Sequence, residues 1–202
     1  MKQIAIFGAT GQVGLWATRK ALALGLSVRV LLREPTRLPE ELRSKVDVKQ
    51  GDVTKLEDVQ ATVEGVDAVL VALGTRNDIS ASTTMSEGMR NIITAMKSCG
   101  VDIVSVCLSA FLFYDLETVP PMFRHVTADH QRMLDSIKGS GMKWIAVLPP
   151  HFTNSPSSKY TVKEGSSPGR TITTQDLGQF LVESLSLPQY YNKVLGIATD
   201  VE

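Results

Sequence analysis

The stretch "IAIFGATGQVG", residues 4–14, decides the fold of this chain. An apolar run is followed at once by three glycines spaced three residues apart, Gly8, Gly11 and Gly14, and an apolar helical pattern begins at Val13. Gly8 permits a sharp exit from a strand, Gly11 lets the backbone approach a pyrophosphate, and Gly14 lets a helix pack closely on the sheet. The N-terminus of that helix offers N–H groups and a partial positive charge to phosphates. The alternative is a tight turn that holds no ligand, but the strand–turn–helix context favours dinucleotide binding.

Outward from this turn, strand and helix signals alternate along the chain. Short apolar runs predict six strands, at residues 4–7, 28–32, 46–53, 67–73, 103–109 and 143–149. Several runs are almost continuously apolar, as expected for strands buried on both faces of a parallel sheet. Helical patterns between them indicate βαβ units with right-handed crossovers. We therefore predict an α/β fold, a single Rossmann-like domain over residues 1–202 with a doubly wound parallel sheet and helices on both faces.

Three local patterns refine this expectation. Thr84 and Glu87 have the spacing of a capping box at the start of a methionine-rich helix. Residues 154–169 are rich in Ser, Pro and Gly, which predicts a long surface loop. The last helix is predicted at residues 173–185.

Composition argues against several functional classes. Lys and Arg together number 21, as do Asp and Glu, so there is no basic excess of the kind that nucleic-acid binding usually requires. No apolar stretch is long enough to span a bilayer, and the N-terminal segment has the pattern of a strand rather than a signal peptide. Cys99 and Cys107 have apolar neighbours in the sequence, which predicts reduced, buried thiols in a cytoplasmic protein. The 3 histidines and 2 cysteines form no metal-ligand cluster in the sequence.

Residues after the second and third strands favour NADPH over NADH. The spacing of the glycines is typical of short-chain dehydrogenase-like proteins, which bind NAD(P). Arg33 stands where NAD-binding sites carry an acidic residue, and Arg37 follows one helical turn later, so two guanidinium groups are available to a 2′-phosphate. Glu34 follows Arg33 and need not face the same way. Asp52, after the third strand, fits either a contact with the adenine edge or a cap of the next turn.

The segment "ALGTRND" after the fourth strand lies at the edge of the sheet where ligands bind in such folds. Gly74 lets the chain pass close to a cofactor, and Thr75 can donate to a phosphate or ribose. Arg76 could hold an anionic substrate, or form a structural ion pair with a nearby acid.

The fifth strand ends at Ser109, where short-chain dehydrogenases carry their catalytic serine, but the Tyr-x-x-x-Lys pair of those enzymes is missing. The four tyrosines are followed four positions later by Thr118, Glu164, Val194 and Leu195. Interconversion of alcohol and ketone by that route is therefore not expected. The sequence favours a conjugated acceptor that takes hydride without a strong general acid.

The motifs "IAIFGATGQVG", "LGTRND", "MSEGMRNI", "VTADHQRM" and "VLPPH", in this order, resemble the flavin reductase (NADPH) family, also called the biliverdin reductase B family. The resemblance covers almost the whole chain. It implies a monomeric, cytoplasmic enzyme of heme catabolism with NADPH as its cofactor. Its substrates would be small molecules: FMN, FAD and related flavins, and biliverdin IXβ with other non-α biliverdins. Neither a nucleic acid nor a membrane is an expected partner.

Site residues follow from the resemblance and from position in the predicted fold. Cofactor contacts are expected at Gly8, Thr10, Gly11, Gln12, Val13, Gly14, Arg33, Thr36, Arg37, Asp52, Leu73, Gly74, Thr75, Met85, Ser109, His130, Pro150, His151 and Phe152. Substrate contacts are expected at Arg76, Phe111, Met122 and Arg124, and the catalytic candidates are Ser109 and His151. Met122 stands where the better-known mammalian members have an arginine, and the C-terminal tail also departs from the family.

Each of these assignments has a structural alternative. Ser109 could fix the nicotinamide by a hydrogen bond or satisfy local backbone. His151 could donate a proton or wall the pocket, and His130 could make a structural hydrogen bond. Phe111, Phe113 and Tyr114 could stack on a flat ring or pack their own loop. For the whole chain, the rival functions are a redox sensor that binds NADPH without turnover and a nucleotide-sugar epimerase. The missing Tyr-Lys pair and the lack of a substrate domain disfavour the epimerase.

Overall fold

Strands and helices alternate from Gln3 to Thr199 in the computed structural model, which describes residues 1–76 and 78–200. The strands are β1 Gln3–Phe7, β2 Ser27–Leu32, β3 Asp47–Gln50, β4 Ala68–Val71, β5 Ile103–Cys107, β6 Lys143–Leu148, β7 His151–Thr153, β8 Tyr160–Glu164, β9 Thr171–Thr173 and β10 Lys193–Thr199. The helices are α1 Gln12–Ala23, α2 Glu40–Arg43, α3 Leu56–Val63, α4 Thr84–Cys99, α5 Arg124–Lys138 and α6 Thr174–Ser184.

Eight strands form one sheet in the order β3-β2-β1-β4-β5-β6-β10-β8. Each neighbouring pair is parallel except β10 and β8, which are antiparallel. The strand order reverses beside β1, because β2 lies on one side of it and β4 on the other. Ligands of open α/β sheets bind at such a reversal, outside the carboxyl ends of the strands. The strands β7 and β9 form a separate parallel pair.

The sheet is covered on both faces. Alternate residues of β1 belong to different cores, with Ala5 and Phe7 in one and Ile4 and Ile6 in the other. The first core contains the apolar faces of α3, α4 and α5, and the second those of α1, α2 and α6. Because successive side chains of a strand point to opposite faces, a strand buried in both cores must be apolar throughout. The predicted doubly wound α/β fold is confirmed.

The start of α4 differs from the predicted capping box. Thr83, not Thr84, is the N-cap residue, and its Oγ1 donates to Glu87 Oε1 at 2.6 Å. The N–H of Met85 instead donates to the carboxylate of Asp129 on α5, at 3.2 Å. The prediction was wrong by one residue because a distant helix supplies the acceptor for this end of α4.

The segment 154–169 is not a continuous loop. Its central part forms β8, which pairs with β10 from Leu195↔Glu164 to Thr199↔Tyr160. β10 lies in the C-terminal tail and had no counterpart among the six predicted strands. Its outer edge gives β8 a partner, and this pairing of distant segments could not be read from local composition. Within the described ranges, no helix is both long and apolar enough to cross a membrane.

Candidate active site

The glycine-rich turn connects β1 to α1 with very little space around it. Gly8 has φ +90°, and a Cβ built there would lie 2.2 Å from the carbonyl oxygen of Ala72. A Cβ on Gly14 would lie 2.1 Å from the carbonyl oxygen of Gly8. Both glycines are therefore required by the fold itself, because any side chain would push α1 or β4 away.

Gly11 is different, because the packing of the protein does not require it so strictly. A Cβ there would meet only the carbonyl oxygen of Gly8, at 3.3 Å. Gly11 is the N-cap residue of α1 and has no side chain with which to cap the helix. The N–H groups and the positive end of the helix dipole are therefore available to an anion. This arrangement fits the pyrophosphate of a dinucleotide.

The cleft beside this turn has two compartments, which share the lining residues Ala72, Leu73, Gly74, Arg76 and Met85. The first, here called the Arg33 compartment, is lined by Phe7, Gly8, Thr10, Gly11, Leu31, Leu32, Arg33, Gly51, Asp52, Val53, Ala72, Leu73, Gly74, Arg76, Thr84 and Met85. The second, here called the His130 compartment, is lined by Gln12, Val13, Ala72, Leu73, Gly74, Thr75, Arg76, Ile79, Met85, Cys107, Leu108, Phe123, Val126, His130 and Phe152. The predicted residues after β1 and β4 are thus brought to one cleft at the carboxyl edge of the sheet.

Arg76 lies where the two compartments meet. Its backbone has φ +54°, in the left-handed region, and its Nη2 donates to Thr10 Oγ1 at 3.0 Å. The guanidinium therefore bridges the loop after β4 and the glycine-rich turn. In the described part of the chain Arg76 forms no ion pair with an acid, so the predicted structural alternative is not seen there.

Of the residues predicted near the 2′-phosphate, Arg33 lines the cleft and Arg37 does not. Arg37 lies in the short 3₁₀ turn Pro35–Arg37, and its Nε donates to Glu34 Oε2 at 2.6 Å. Thr36 is exposed in the same turn and also lies outside the lining. The predicted pair of guanidiniums is thus divided, with one at the cleft and one bonded to Glu34.

Asp52 caps the turn that follows β3. Its Oδ1 accepts hydrogen bonds from the N–H and the hydroxyl of Thr54, both at 2.9 Å. The Thr54 N–H is the main cause that holds the pKa of Asp52 below its ordinary value, and the positive charge of Arg33 adds to it. The geometry supports the capping alternative, although Asp52 also lines the Arg33 compartment.

The walls of the His130 compartment are largely apolar. Ile79, Phe123, Val126 and Phe152 contribute apolar or aromatic side chains. His130 has a half-buried ring whose Nδ1 is enclosed and meets no hydrogen-bond partner among the described residues. Burial lowers the pKa of His130 to about 4, against a weaker opposing effect of the Asp129 charge. The imidazole is therefore neutral at pH 7.

Cys107 lies on the same wall. Burial raises the pKa of its thiol to about 12. Because the thiolate is the reactive form of cysteine, this protonated thiol acts as an apolar wall group.

The two catalytic candidates lie beside the compartments and do not line them. Ser109 follows β5, and its Oγ accepts the N–H of Phe111 at 3.3 Å, which matches the local backbone role. His151 is exposed at the start of β7, after the half-buried Pro150. Phe152 lines the His130 compartment, whereas His151 lies outside both linings. The catalytic roles of Ser109 and His151 stay predictions.

The loop before α5 is held by its own contacts. Phe111 stacks on Phe123 with ring centroids 5.5 Å apart. Arg124 donates to the carbonyl oxygens of Val119, at 3.0 Å, and Glu117, at 2.6 Å. Met122 is exposed, and with Phe111 and Arg124 it lies outside both linings. Two of the three predicted substrate residues in this loop thus have structural partners.

Comparison with known proteins identifies the family of this chain. Residues 8–188 match the NAD(P)H-binding family. The chain belongs to this family. Its cofactor is NAD(P)H. The finer resemblance to flavin reductases stays a prediction.

Individual proteins are similar to this chain in sequence or in fold. The chain is similar to the phenylcoumaran benzylic ether reductase IRL1 of Ginkgo biloba, with 26% identity over 96% of this chain and 68% of that protein. A Rossmann-fold NAD(P)-binding family protein from Shigella flexneri superposes with a TM-score of 0.80 and 19% identity, covering 100% of this chain and 97% of the other. A short-chain dehydrogenase/reductase from Veillonella parvula, solved in complex with NADP, gives a TM-score of 0.77 at 16% identity, covering 98% and 94%.

Sequence reasoning missed several residues that line this cleft. Phe123 and Val126 line the His130 compartment but follow no strand end, which was the signal that found the others. Ile79 also lines it and lies in the loop after β4, directly beyond the segment "ALGTRND". Val53 lines the Arg33 compartment immediately after Asp52, so the strand-end rule could have found it. Val126 could have been found from its position one helical turn before His130 on α5.

Proposed function

We propose that this chain transfers hydride from NADPH to flat conjugated acceptors, with FMN, FAD, biliverdin IXβ and other non-α biliverdins as substrates. The observation that carries the proposal is the His130 compartment, whose apolar walls include Phe123 and Phe152 and whose lining also includes Arg76. Aromatic walls suit a planar ring system, and a guanidinium suits a phosphate or carboxylate on its side chain. Flavin nucleotides and biliverdins combine these two features.

NADPH supplies the hydride when it is bound, and the residues of the chain position and shield the reacting groups. Gly8, Thr10 and Gly11 form the turn against which the pyrophosphate fits. Arg33 is placed to recognise the 2′-phosphate, which supports NADPH over NADH. Phe152 and Ile79 supply apolar surface against which a flat acceptor would pack.

The chemistry of the walls supports an acceptor that needs no general acid from the protein. The sequence contains no Tyr-x-x-x-Lys pair. With a pKa of about 4, His130 is neutral at pH 7 and supplies no imidazolium proton, and with a pKa of about 12 the thiol of Cys107 holds its proton tightly. Flavins and biliverdins suit this site because they can take the remaining proton from solvent.

The missing Tyr-Lys pair also supports a second candidate, a redox sensor that binds NADPH without turnover. The test is steady-state oxidation of NADPH with FMN, FAD, dichlorophenolindophenol and the IXβ and IXα isomers of biliverdin. We expect turnover with both flavins and with biliverdin IXβ. Tight NADPH binding in calorimetry without oxidation in any of these assays would contradict the reductase and support the sensor.

A pair of aromatic variants tests whether the acceptor occupies the His130 compartment. Phe152→Ala removes a wall of the compartment and should raise the KM for FMN about fivefold or more, the scale of base–aromatic stacking. Tyr114→Ala is the matched control, since Tyr114 is exposed and lies outside both linings. Equal KM values for both variants would place the acceptor elsewhere.

A further inference from the structure

We propose that Glu34 sets the cofactor selectivity of this protein by competing with the 2′-phosphate of NADP(H) for Arg37. The inference rests on the proposed function, since it takes the 2′-phosphate to bind at the end of β2. In this proposal Glu34 weakens the binding of NADP(H) and leaves that of NAD(H) unaffected. Glu34 thus determines specificity through its ion pair with Arg37, without contacting the cofactor itself.

The ion pair is built into a short, fixed turn. β2 ends at Leu32, and after Glu34 the residues Pro35–Arg37 form one 3₁₀ turn. The N–H of Arg37 donates to the carbonyl oxygen of Glu34 at 3.1 Å, so the backbone brings the two side chains to the same side. The Arg37 Nε then donates to Glu34 Oε2 at 2.6 Å.

The pair is exposed, so a ligand can break it. The side chains of Arg37 and Glu34 are 47% and 59% exposed. An ion pair in water is weak, because solvent and salt screen it and because holding two long side chains costs entropy. A phosphate dianion offers a guanidinium more charge and more acceptor oxygens than one carboxylate does. The 2′-phosphate can therefore displace Glu34.

Before the cofactor binds, Arg33 and Arg37 therefore differ in whether their guanidinium groups are already paired with a carboxylate. Arg33 lines the cleft and, among the described residues, has no carboxylate within ion-pair distance. Arg37 is held by Glu34 and lies outside the lining. Cofactor with a 2′-hydroxyl leaves the Glu34–Arg37 pair intact, whereas a 2′-phosphate competes with Glu34 for the charge and the Nε donor of Arg37. The cost of breaking the pair falls on NADP(H) alone.

Calorimetry with NADP⁺ and NAD⁺ on the full chain tests this directly and needs no turnover. Glu34→Gln should tighten NADP⁺ binding about two- to fivefold, the range expected from an exposed ion pair. The affinity for NAD⁺ should stay unchanged. In the Arg37→Gln background, the further change Glu34→Gln should give no tightening, because the competition has already been removed.

Glu41→Gln is the matched control. It removes the same charge from an equally exposed carboxylate, 60% exposed, that pairs with Arg19 at 3.2 Å and lies outside both linings. It should leave both affinities unchanged. Equal tightening in Glu41→Gln would assign the effect to net charge, and tightening that persists without Arg37 would assign it to direct repulsion by Glu34. Either result, or no tightening in Glu34→Gln, overturns the proposal.

The measurement also separates this inference from the proposed reductase. The NADP⁺ to NAD⁺ ratio is read in the absence of any acceptor, so a chain that fails to reduce flavins still gives a result for Glu34. A chain that reduces flavins but shows the same ratio in wild type and Glu34→Gln keeps the proposed function and loses this inference.

Discussion

Arg33, Arg76 and Arg124 differ in what their guanidinium groups already hold. Arg124 is bonded to two backbone carbonyl oxygens of its own loop, and Arg76 to the hydroxyl of Thr10. Arg33 is exposed, lines the cleft and forms no ion pair among the described residues. A guanidinium without a protein partner keeps its full capacity for a ligand anion. At the scale of single residues, Arg33 is therefore the side chain that should discriminate most between the two cofactors.

Arg33→Ala should weaken NADPH binding by about 1.5–3 kcal/mol, the contribution of a hydrogen bond to a charged group. NADH binding should change little, since it has no 2′-phosphate for Arg33 to hold. Titration calorimetry with both cofactors measures the difference, with Arg19→Ala as a control at a guanidinium that pairs with Glu41 away from the cleft. Equal losses for both cofactors would contradict the 2′-phosphate assignment.

The histidines should not act as proton donors. The pKa of His130 is lowered to about 4 by burial, and His151 is exposed and lies outside both linings. A general acid contributes about 10²–10⁴-fold, so His130→Ala and His151→Ala should each cost less than about tenfold in FMN reduction. The pH dependence of turnover should stay the same. Loss of turnover together with a titration near the ordinary histidine pKa would identify that histidine as the donor.

At the scale of elements, the β1–α1 unit combines a packing role with a binding role. Gly14 allows α1 to lie against the Gly8 carbonyl, and Gly11 leaves open the space in front of the helix N-terminus. The two roles belong to different glycines of one motif, because the chain turns from the sheet to the cleft between them. A methyl group at each position should therefore affect a different property.

Gly14→Ala should lower the free energy of unfolding by about 1–3 kcal/mol, because its Cβ cannot be accommodated without moving α1. Gly11→Ala should keep stability within about 1 kcal/mol of wild type, as expected at an N-cap. The same Gly11→Ala change should weaken NADPH binding about tenfold or more, since its Cβ occupies the space that a pyrophosphate requires.

Urea unfolding and calorimetry on both variants separate the two effects. If Gly11→Ala binds NADPH as tightly as wild type does, the pyrophosphate does not lie against this turn. If Gly14→Ala is as stable as wild type, the close approach of α1 to the Gly8 carbonyl does not contribute to stability.

At the scale of the whole molecule, two cores on one sheet support a half-open cleft at the sheet edge. Forming that cleft encloses the Nδ1 of His130 and leaves it without a partner among the described residues. Because the folded protein keeps this imidazole neutral, the free energy of unfolding of the whole domain should depend on pH.

The unfolding free energy should fall as the pH is lowered from about 6.5 towards 4, the ordinary and folded pKa values of His130. In that window the unfolded chain binds a proton at His130 and the folded chain does not, so acid favours unfolding. Between pH 7 and pH 5 the loss of stability due to His130 should amount to about 1–2 kcal/mol, because one proton bound only by the unfolded chain costs about 1.4 kcal/mol per pH unit.

Urea unfolding of wild type and His130→Gln at both pH values isolates this contribution from those of the carboxylates. His130→Gln should lose less stability on acidification than wild type does. Parallel losses in the two proteins would show that the folded state protonates His130 as easily as the unfolded state does.

Residues at strand ends were predictable because their place follows from the sheet. Gly8, Arg33 and Leu73 each come just after a strand, and carboxyl ends of parallel strands share one edge. Phe123 and Val126 were not predictable in this way, since a loop and a helix bring them to the cleft. The ion pair between Glu34 and Arg37 could be predicted only in part. The sequence shows that the two residues are close together, but the direction of the Glu34 side chain depends on the turn that follows it.

By itself, the sequence determined the alternation of strands and helices, the burial of the sheet on both faces, and the position of the cleft beside the glycine-rich turn. These follow from periodicity, from the crossover rule and from the absence of a Cβ at Gly8 and Gly14, which are all local properties. Only the tertiary structure decided that β10 pairs with β8, that Asp129 rather than a capping box holds the start of α4, and that His130 is neutral. Each of these depends on distance and burial between segments far apart in the chain, which no local pattern contains.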